Sequence, residues 1–209
     1  MGYQLITGPT GDPVSLAEAK LHLRVEIGMT DDDTLIAALI TAARQYAEQK
    51  TMSSFMTQTW KYVMDSFPGR YLTSVPWGAE YSQPGNAVLL EKGPITGITG
   101  INYMDMGGAQ QTMPSTDYVV DLTGPLARVT PVFGKIWPIT MPQIASASIT
   151  FTAGYGAASA VPEGIKSWIK LRIGALYENR EEFLTGRSVT VAELPFVDSL
   201  LDPYRIDRP

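Results

Sequence analysis

Charge is distributed unevenly along this chain of 209 residues, and the distribution divides the chain into three parts. Residues 1–56 carry 7 acidic and 4 basic side chains, and residues 161–209 carry 8 and 7. Residues 57–160 carry only 6 and 5, and they are rich in glycine, proline, threonine and alternating apolar residues. The outer parts show helical periods, whereas the middle has the pattern of strands joined by turns. We therefore predict an α+β protein, in which an inserted antiparallel β-rich domain separates two helical parts that form one bundle.

The composition is that of a folded protein and excludes several classes. Hydrophobic residues make up 44% of the chain, which places it among globular proteins. The absence of cysteine excludes disulfides, thiolate metal sites and cysteine nucleophiles. A net charge of -5 disfavours general binding to duplex DNA, which requires neutralisation of phosphates. With no long apolar run and no signal-like start, we expect a cytoplasmic protein without a membrane partner.

Three helices are predicted from capping residues and apolar periodicity. The first begins at a capping box formed by Ser15 and Glu18. The second spans about residues 31–50, and Thr30 with the aspartates after it supplies a cap and negative charge at its start. The third spans about residues 162–182, and its apolar stripe is broad enough for a central helix. We expect the second and third helices to pack on one another.

The middle part contains six predicted strands, at residues 59–65, 87–90, 98–104, 118–121, 127–130 and 145–151. The segment Asp105–Gly108 predicts a hairpin turn, because glycine supplies the positive φ that such turns need. Residues 66–85 have no clear period and yet contain four aromatic residues. A long segment of this kind inside a domain is usually functional or disordered, and its aromatic content favours function.

No set of residues supports catalysis. His22 is the only histidine and lacks an accompanying nucleophile motif, so we interpret it as an exposed helix residue. Asp31–Asp33 lack the spacing of a calcium loop and are explained by the helix start. Residues 154–159 lack the third glycine of a dinucleotide motif and indicate a turn, and the acidic residues at 178–182 are typical of a solvated helix end. We expect no catalytic residue, no cofactor and no metal.

Aromatic and apolar residues in two segments are candidates for binding partners instead. The long segment at residues 66–85 has aromatic side chains of the type that anchors interfaces. The segment Phe183–Pro209 has too few apolar residues to form a core alone. The alternative for both is packing within their own domain. The interface candidates are Tyr71, Trp77, Tyr81, Phe196, Leu200, Leu201, Tyr204 and Arg205.

Several stretches, in the same order along the chain, resemble the head-tail connector (adaptor) proteins of tailed phages. They are residues 13–25, the aspartate run before Leu35, and residues 58–60, 151–156, 161–162, 177–181 and 203–205. Each stretch is short, and their order of appearance carries the resemblance. The chain resembles a long form of this family, with most of the additional length in the β-rich middle.

This resemblance implies a non-enzymatic virion component that is made in the host cytoplasm and forms a homo-oligomeric ring with the symmetry of the portal. The ring would lie beneath the portal and extend the DNA channel toward the tail. Its partners would be other copies of itself, the portal protein and a tail or stopper protein, while DNA would pass without sequence-specific binding. Two other classes stay open. One is another tail or baseplate structural protein, and the other is a small hydrolase with a pocket that joins His22 to an acid and a hydroxyl.

Overall fold

A computed structural model describes four stretches of the chain, with only the backbone at positions 195 and 196: residues 1–68, 86–124, 126–179 and 195–206. The chain divides into two compact units. Met1–Gly8 and Thr57–Gly154 form one, which we call the sheet unit, and Pro9–Met56 and Tyr155–Pro209 form the other, the helical unit. The mixture of helices and antiparallel sheets confirms the predicted α+β class.

Within the described residues, the helical unit contains the helices α1 (Leu16–Leu23), α2 (Asp33–Thr51), α3 (Glu163–Glu178) and α4 (Pro195–Ser199). Helices α2 and α3 pack against each other as predicted, although they come from opposite ends of the sequence. Helix α3 also contacts α1 and α4, which confirms its central position. The core between the helices includes the buried residues Ile36, Ile40, Phe55, Ile165, Trp168, Ile169 and Ile173. Leu171 of α3, although apolar, is 37% exposed.

The start of α1 is as predicted. The Ser15 hydroxyl accepts a hydrogen bond from the backbone N–H of Glu18 at 3.2 Å. The hydroxyl and the backbone N–H of Ser15 both donate to the Glu18 carboxylate, and they hold its pKa below the ordinary value. This reciprocal pair satisfies donors that a helix start otherwise leaves unpaired.

The start of α2 differs from the prediction. The helix begins at Asp33, and its N-cap residue, Asp32, makes no side-chain capping hydrogen bond. Asp32 instead accepts a hydrogen bond from the hydroxyl of Tyr177 on α3 at 2.5 Å. Asp33 forms an ion pair with Lys20 of α1. The aspartate run therefore connects three helices, while its charge still favours the helix start.

Helix α3 is shorter than predicted. It ends at Glu178 rather than near residue 182, and Asn179 leaves the helical conformation. The side-chain amide of Asn179 donates to the carbonyl of Ala175 at 3.0 Å. Asparagine ends helices in this way because its side chain competes for backbone partners.

A buried polar network fixes the chain around α2. Arg44, only 6% exposed, donates to Asp12 at 2.6 Å and to Glu48 at 2.7 Å. The Asp12 carboxylate also accepts from the Thr41 hydroxyl at 2.9 Å, and Glu48 accepts from the backbone N–H of Phe55 at 2.9 Å. One guanidinium thus links the segment before α1 to the segment after α2.

The sheet unit contains eight strands among the described residues: β1 (Gly2–Thr7), β2 (Gln58–Met64), β3 (Val88–Leu90), β4 (Ile95–Met104), β5 (Gln110–Met113), β6 (Tyr118–Asp121), β7 (Ala127–Pro131) and β8 (Ala147–Ala153). One sheet has the order β1-β2-β8-β4-β5 and the other β3-β7-β6, with antiparallel pairing throughout. Strand β8 is central in the larger sheet. Its residues Ala147, Ile149, Phe151 and Ala153 are at most 1% exposed, as the alternation of apolar and polar residues predicts.

The structure adds two strands to the six predicted. Strand β1 lies in the sheet unit, although the charge pattern groups it with the first helical part; its partner β2 is distant in sequence. Strand β5 completes the predicted hairpin, whose turn is held by hydrogen bonds from the backbone of Gly107 and Ala109 to Asp105. Strand β8 begins later than predicted, because Ala145 has a φ of 61° and donates to Asp65.

We predict that Arg44→Met destabilises the helical unit by about 3 kcal/mol, because it leaves two carboxylates without their buried partner. The matched control is Lys135→Met, since Lys135 is 57% exposed and pairs with Asp117 at 3.4 Å. That change should cost at most about 1 kcal/mol. Urea unfolding followed by circular dichroism checks both values. Equal losses in the free energy of unfolding would contradict the expectation that the buried ion pairs matter more than the exposed one.

Candidate interaction surfaces

The described residues do not assemble a metal site from the sequence candidates. His22 is exposed on α1, and its ring lies beside Gly174 of α3. Among the positions that the structure covers, no group of three or more histidine, aspartate or glutamate residues is arranged to hold a metal ion. Gly154 and Gly156 both have positive φ, as expected of a turn between β8 and α3.

A loop of unusual surface composition connects β7 to β8. We call residues 132–146 the apolar loop. Its only charged side chain is Lys135, which pairs with Asp117. Four large apolar side chains of the loop are 65–106% exposed: Phe133, Ile136, Ile139 and Ile144. Single exposed apolar residues are ordinary, but four within one loop indicate a surface for a partner.

Hydrogen bonds hold the apolar loop in a defined conformation. At its start, the Val132 N–H donates to the Asp117 carbonyl at 3.1 Å. In the middle, the Met141 N–H donates to the Met104 carbonyl at 2.9 Å, and the buried hydroxyl of Ser146 donates to Met141 at 2.6 Å. The loop therefore presents its apolar side chains from a fixed backbone.

Trp137 anchors the loop to the core of the sheet unit. It is 7% exposed, unlike its neighbour Ile136, which is 65% exposed. Its indole N–H donates to the carbonyl of Asn86 at 2.6 Å, and its ring stacks on Phe67 with 4.5 Å between centroids. A buried indole with a satisfied N–H is a strong packing anchor.

The C-terminal segment closes the core of the helical unit. Leu201 is completely buried, while Leu200 and Tyr204 are half-buried against the same core. A Cβ at Gly164 of α3 would lie 3.1 Å from the Tyr204 hydroxyl, so glycine there permits the close approach. Leu201, predicted as an interface residue, thus packs inside its own unit, which is the alternative that the sequence left open.

Two polar contacts fix α4 to the longer helices. Lys50 of α2 donates to Asp198, and the indole N–H of Trp168 on α3 donates to the same carboxyl at 3.2 Å. Both hydrogen bonds hold the pKa of Asp198 below its ordinary value of 3.8, and the one from Lys50 has the larger effect. The ring of Trp168 also stacks on Tyr46 of α2, at 5.9 Å between centroids.

The other predicted interface residues fall into two groups. Tyr71, Trp77 and Tyr81 lie outside the described residues, as does the side chain of Phe196. Arg205 is exposed and lies 3.9 Å from Asp202. The apolar loop was missed from the sequence, where its apolar residues have no period and lie between prolines. That combination, at residues 131–144, is the signal that could have indicated an exposed apolar connection.

The comparisons with known proteins agree with the connector resemblance. Residues 13–76 match the family model described as phage gp6-like head-tail connector protein. This part of the chain contains α1, α2 and β2. No curated protein sequence matches the chain.

Solved structures share the fold over the entire chain. The neck of an empty gene transfer agent (GTA) particle, computed with C6 symmetry, contains a chain of 21% identity and TM-score 0.74. The virion of the native particle contains one of 20% identity and TM-score 0.75, and the native neck computed with C12 symmetry one of 21% and 0.71. Each match covers 100% of this chain and 97% of the other.

These findings confirm the resemblance to head-tail connectors over residues 13–76. The fold of the chain is that of chains in the neck of the GTA particle. No helix in the described stretches is both long and apolar enough to cross a membrane.

We predict that Trp137→Ala loosens the apolar loop, because the loop loses its buried anchor. The sheet unit should lose about 3–5 kcal/mol, as for other buried tryptophans, and amide exchange across residues 132–146 should accelerate. Ile136→Ala is the matched control, and its exposed side chain should give a change within about 0.5 kcal/mol. Unchanged exchange in the Trp137 variant would contradict the anchoring role.

The lowered pKa of Asp198 predicts an acid-sensitive helical unit. The unfolded chain binds this proton more tightly, so the contribution to stability is present above pH 3.8 and is lost as the pH falls through the folded pKa. Asp198→Asn should therefore flatten the fall in Tm at low pH. Asp202→Asn, at a 61% exposed carboxyl, is the matched control. Identical Tm profiles from pH 2 to 5 for both variants would refute this role.

Proposed function

We propose that this chain forms the connector ring between the head and tail of a phage-like particle. The ring would lie beneath the portal, with one face toward a tail or stopper protein, and extend the channel through which DNA leaves. The observation that carries the proposal is the match of fold over the full length of the chain to chains in the neck of the GTA particle. The match of residues 13–76 to the connector family supports it independently.

A cyclic ring requires each copy to present two different, complementary surfaces, because neighbouring copies meet head to tail. The C6 and C12 symmetries of the related necks support such an arrangement for this chain. Symmetry matched to the portal, assembly from the host cytoplasm and virion localisation belong to the same proposal. The aromatic candidates Tyr71, Trp77 and Tyr81 and the exposed Arg205 remain predicted contacts with neighbours, the portal or the tail.

The charge of the chain is compatible with a DNA channel. Tight binding to duplex DNA depends on lysine and arginine side chains that neutralise phosphates. With a net charge of -5, the chain lacks an overall basic excess that would hold DNA in place. Such a protein would guide DNA without sequence-specific binding. We propose no membrane partner and no cofactor.

Deletion of the gene should give DNA-packaging heads and free tails that do not join, because the part that connects them is absent. Electron microscopy of the lysate checks this, and complementation with the full-length chain should restore joined particles. Averaging of the restored neck should place a ring of this chain under the portal. Joined, infectious particles without the protein would overturn the proposed function.

A further inference from the structure

The apolar loop has the properties of one half of a protein interface. Phe133 is fully exposed at 106%, and Ile144 is 86% exposed. The loop backbone is nevertheless held by hydrogen bonds at its start, middle and end. A loop that is already ordered loses little conformational entropy on binding, so its apolar side chains contribute most of their burial to affinity.

Strand β1 has the properties of the other half. It is an edge strand of the five-stranded sheet, and its sequence, Gly-Tyr-Gln-Leu-Ile-Thr, has neither charge nor proline. Leu5 and Ile6 are 46% and 50% exposed. Proteins usually protect an edge with charged residues, proline or a bulge, and here the only such feature is the register shift between Leu5 and Thr7. The regular stretch Gly2–Leu5 is therefore open to contact.

We propose that the apolar loop of one copy docks on strand β1 of the next copy. This inference rests on the proposed ring, which needs two different surfaces in every copy. Both surfaces belong to the sheet unit, both present exposed large apolar side chains, and neither carries a charge except for Lys135, which is paired. The sheet unit would thus contribute directly to ring assembly, in a part of the chain that lies mostly outside the residues matched by the family model.

Photocrosslinking in assembled particles tests the contact. Phe133→p-benzoylphenylalanine places an aromatic crosslinker of similar shape at the most exposed loop position. Irradiation should give an adduct of twice the 22.8 kDa chain mass, and mass spectrometry should locate the link in the tryptic peptide that contains β1. Met106→p-benzoylphenylalanine is the matched control, since Met106 is 63% exposed on the separate β4–β5 turn, and it should give no two-chain adduct.

The other results would overturn the contact. An adduct with a different virion protein would show that the loop contacts a protein above or below the ring. The absence of any adduct would show that the loop contacts no protein in the particle. A two-chain adduct linked elsewhere, or an equal yield from position 106, would exclude β1 as the specific acceptor. Failure of the proposed function is distinguishable, because the chain would then be absent from the neck of the particles before any irradiation.

Two variants test the contact through assembly. Phe133→Ser and Ile6→Ser should each weaken ring formation by about thirtyfold, the effect of removing an interface hot spot. Native mass spectrometry over a range of concentrations, with portal protein present, measures this. The Tm should not change, because both side chains are at least 50% exposed. Normal assembly of both variants would overturn the proposal, and a lowered Tm for both would assign these residues to the fold instead.

Discussion

The helical unit depends on one constraint: the chain must re-enter this unit next to the point at which it left it. The backbone N–H of Tyr155 donates to the carbonyl of Phe55 at 3.2 Å, and the Phe55 side chain is completely buried. In the sheet unit, Gln58 pairs with Ala153, so the first residue of β2 lies opposite the last residue of β8. Without this closure, α3 would not be positioned to complete a core with α2. Residues 57–154, the larger part of the sheet unit, are therefore an insertion with paired ends.

Buried cations define the connections around this helical core. Lys20, 3% exposed, donates to the carbonyls of Ile27 at 3.2 Å and Met29 at 2.6 Å and pairs with Asp33. The ammonium group of Lys20 thus holds the loop between α1 and α2. The guanidinium group of Arg44 holds the segment before α1 in the same way. Buried ion pairs contribute little net stability, since desolvation offsets the attraction. We infer that they favour this arrangement of the loops, because separating the partners would leave a buried charge unpaired.

Features with a local physical cause could be predicted from the sequence. The capping box at Ser15, the apolar stripes of α2 and α3 and the alternation in β8 depend on neighbouring residues, and the structure has all of them. Strand β1 could not be found in this way, because its stability comes from a partner more than fifty positions away. The role of Asp32 was missed for the same reason, since its partner Tyr177 lies on α3.

A rigid apolar loop has a cost before assembly, because exposed apolar side chains favour non-specific association. The proposed ring would reconcile this cost with the need for an ordered contact surface. In a closed ring of identical copies, every subunit makes two contacts, so each contact can be weak while the complete ring is stable. Four exposed side chains on a preformed backbone suit such a contact, whereas a larger patch would join copies before a portal could set their number. The hydrogen bonds of Trp137 and Ser146 keep this loop ordered, as such a contact requires.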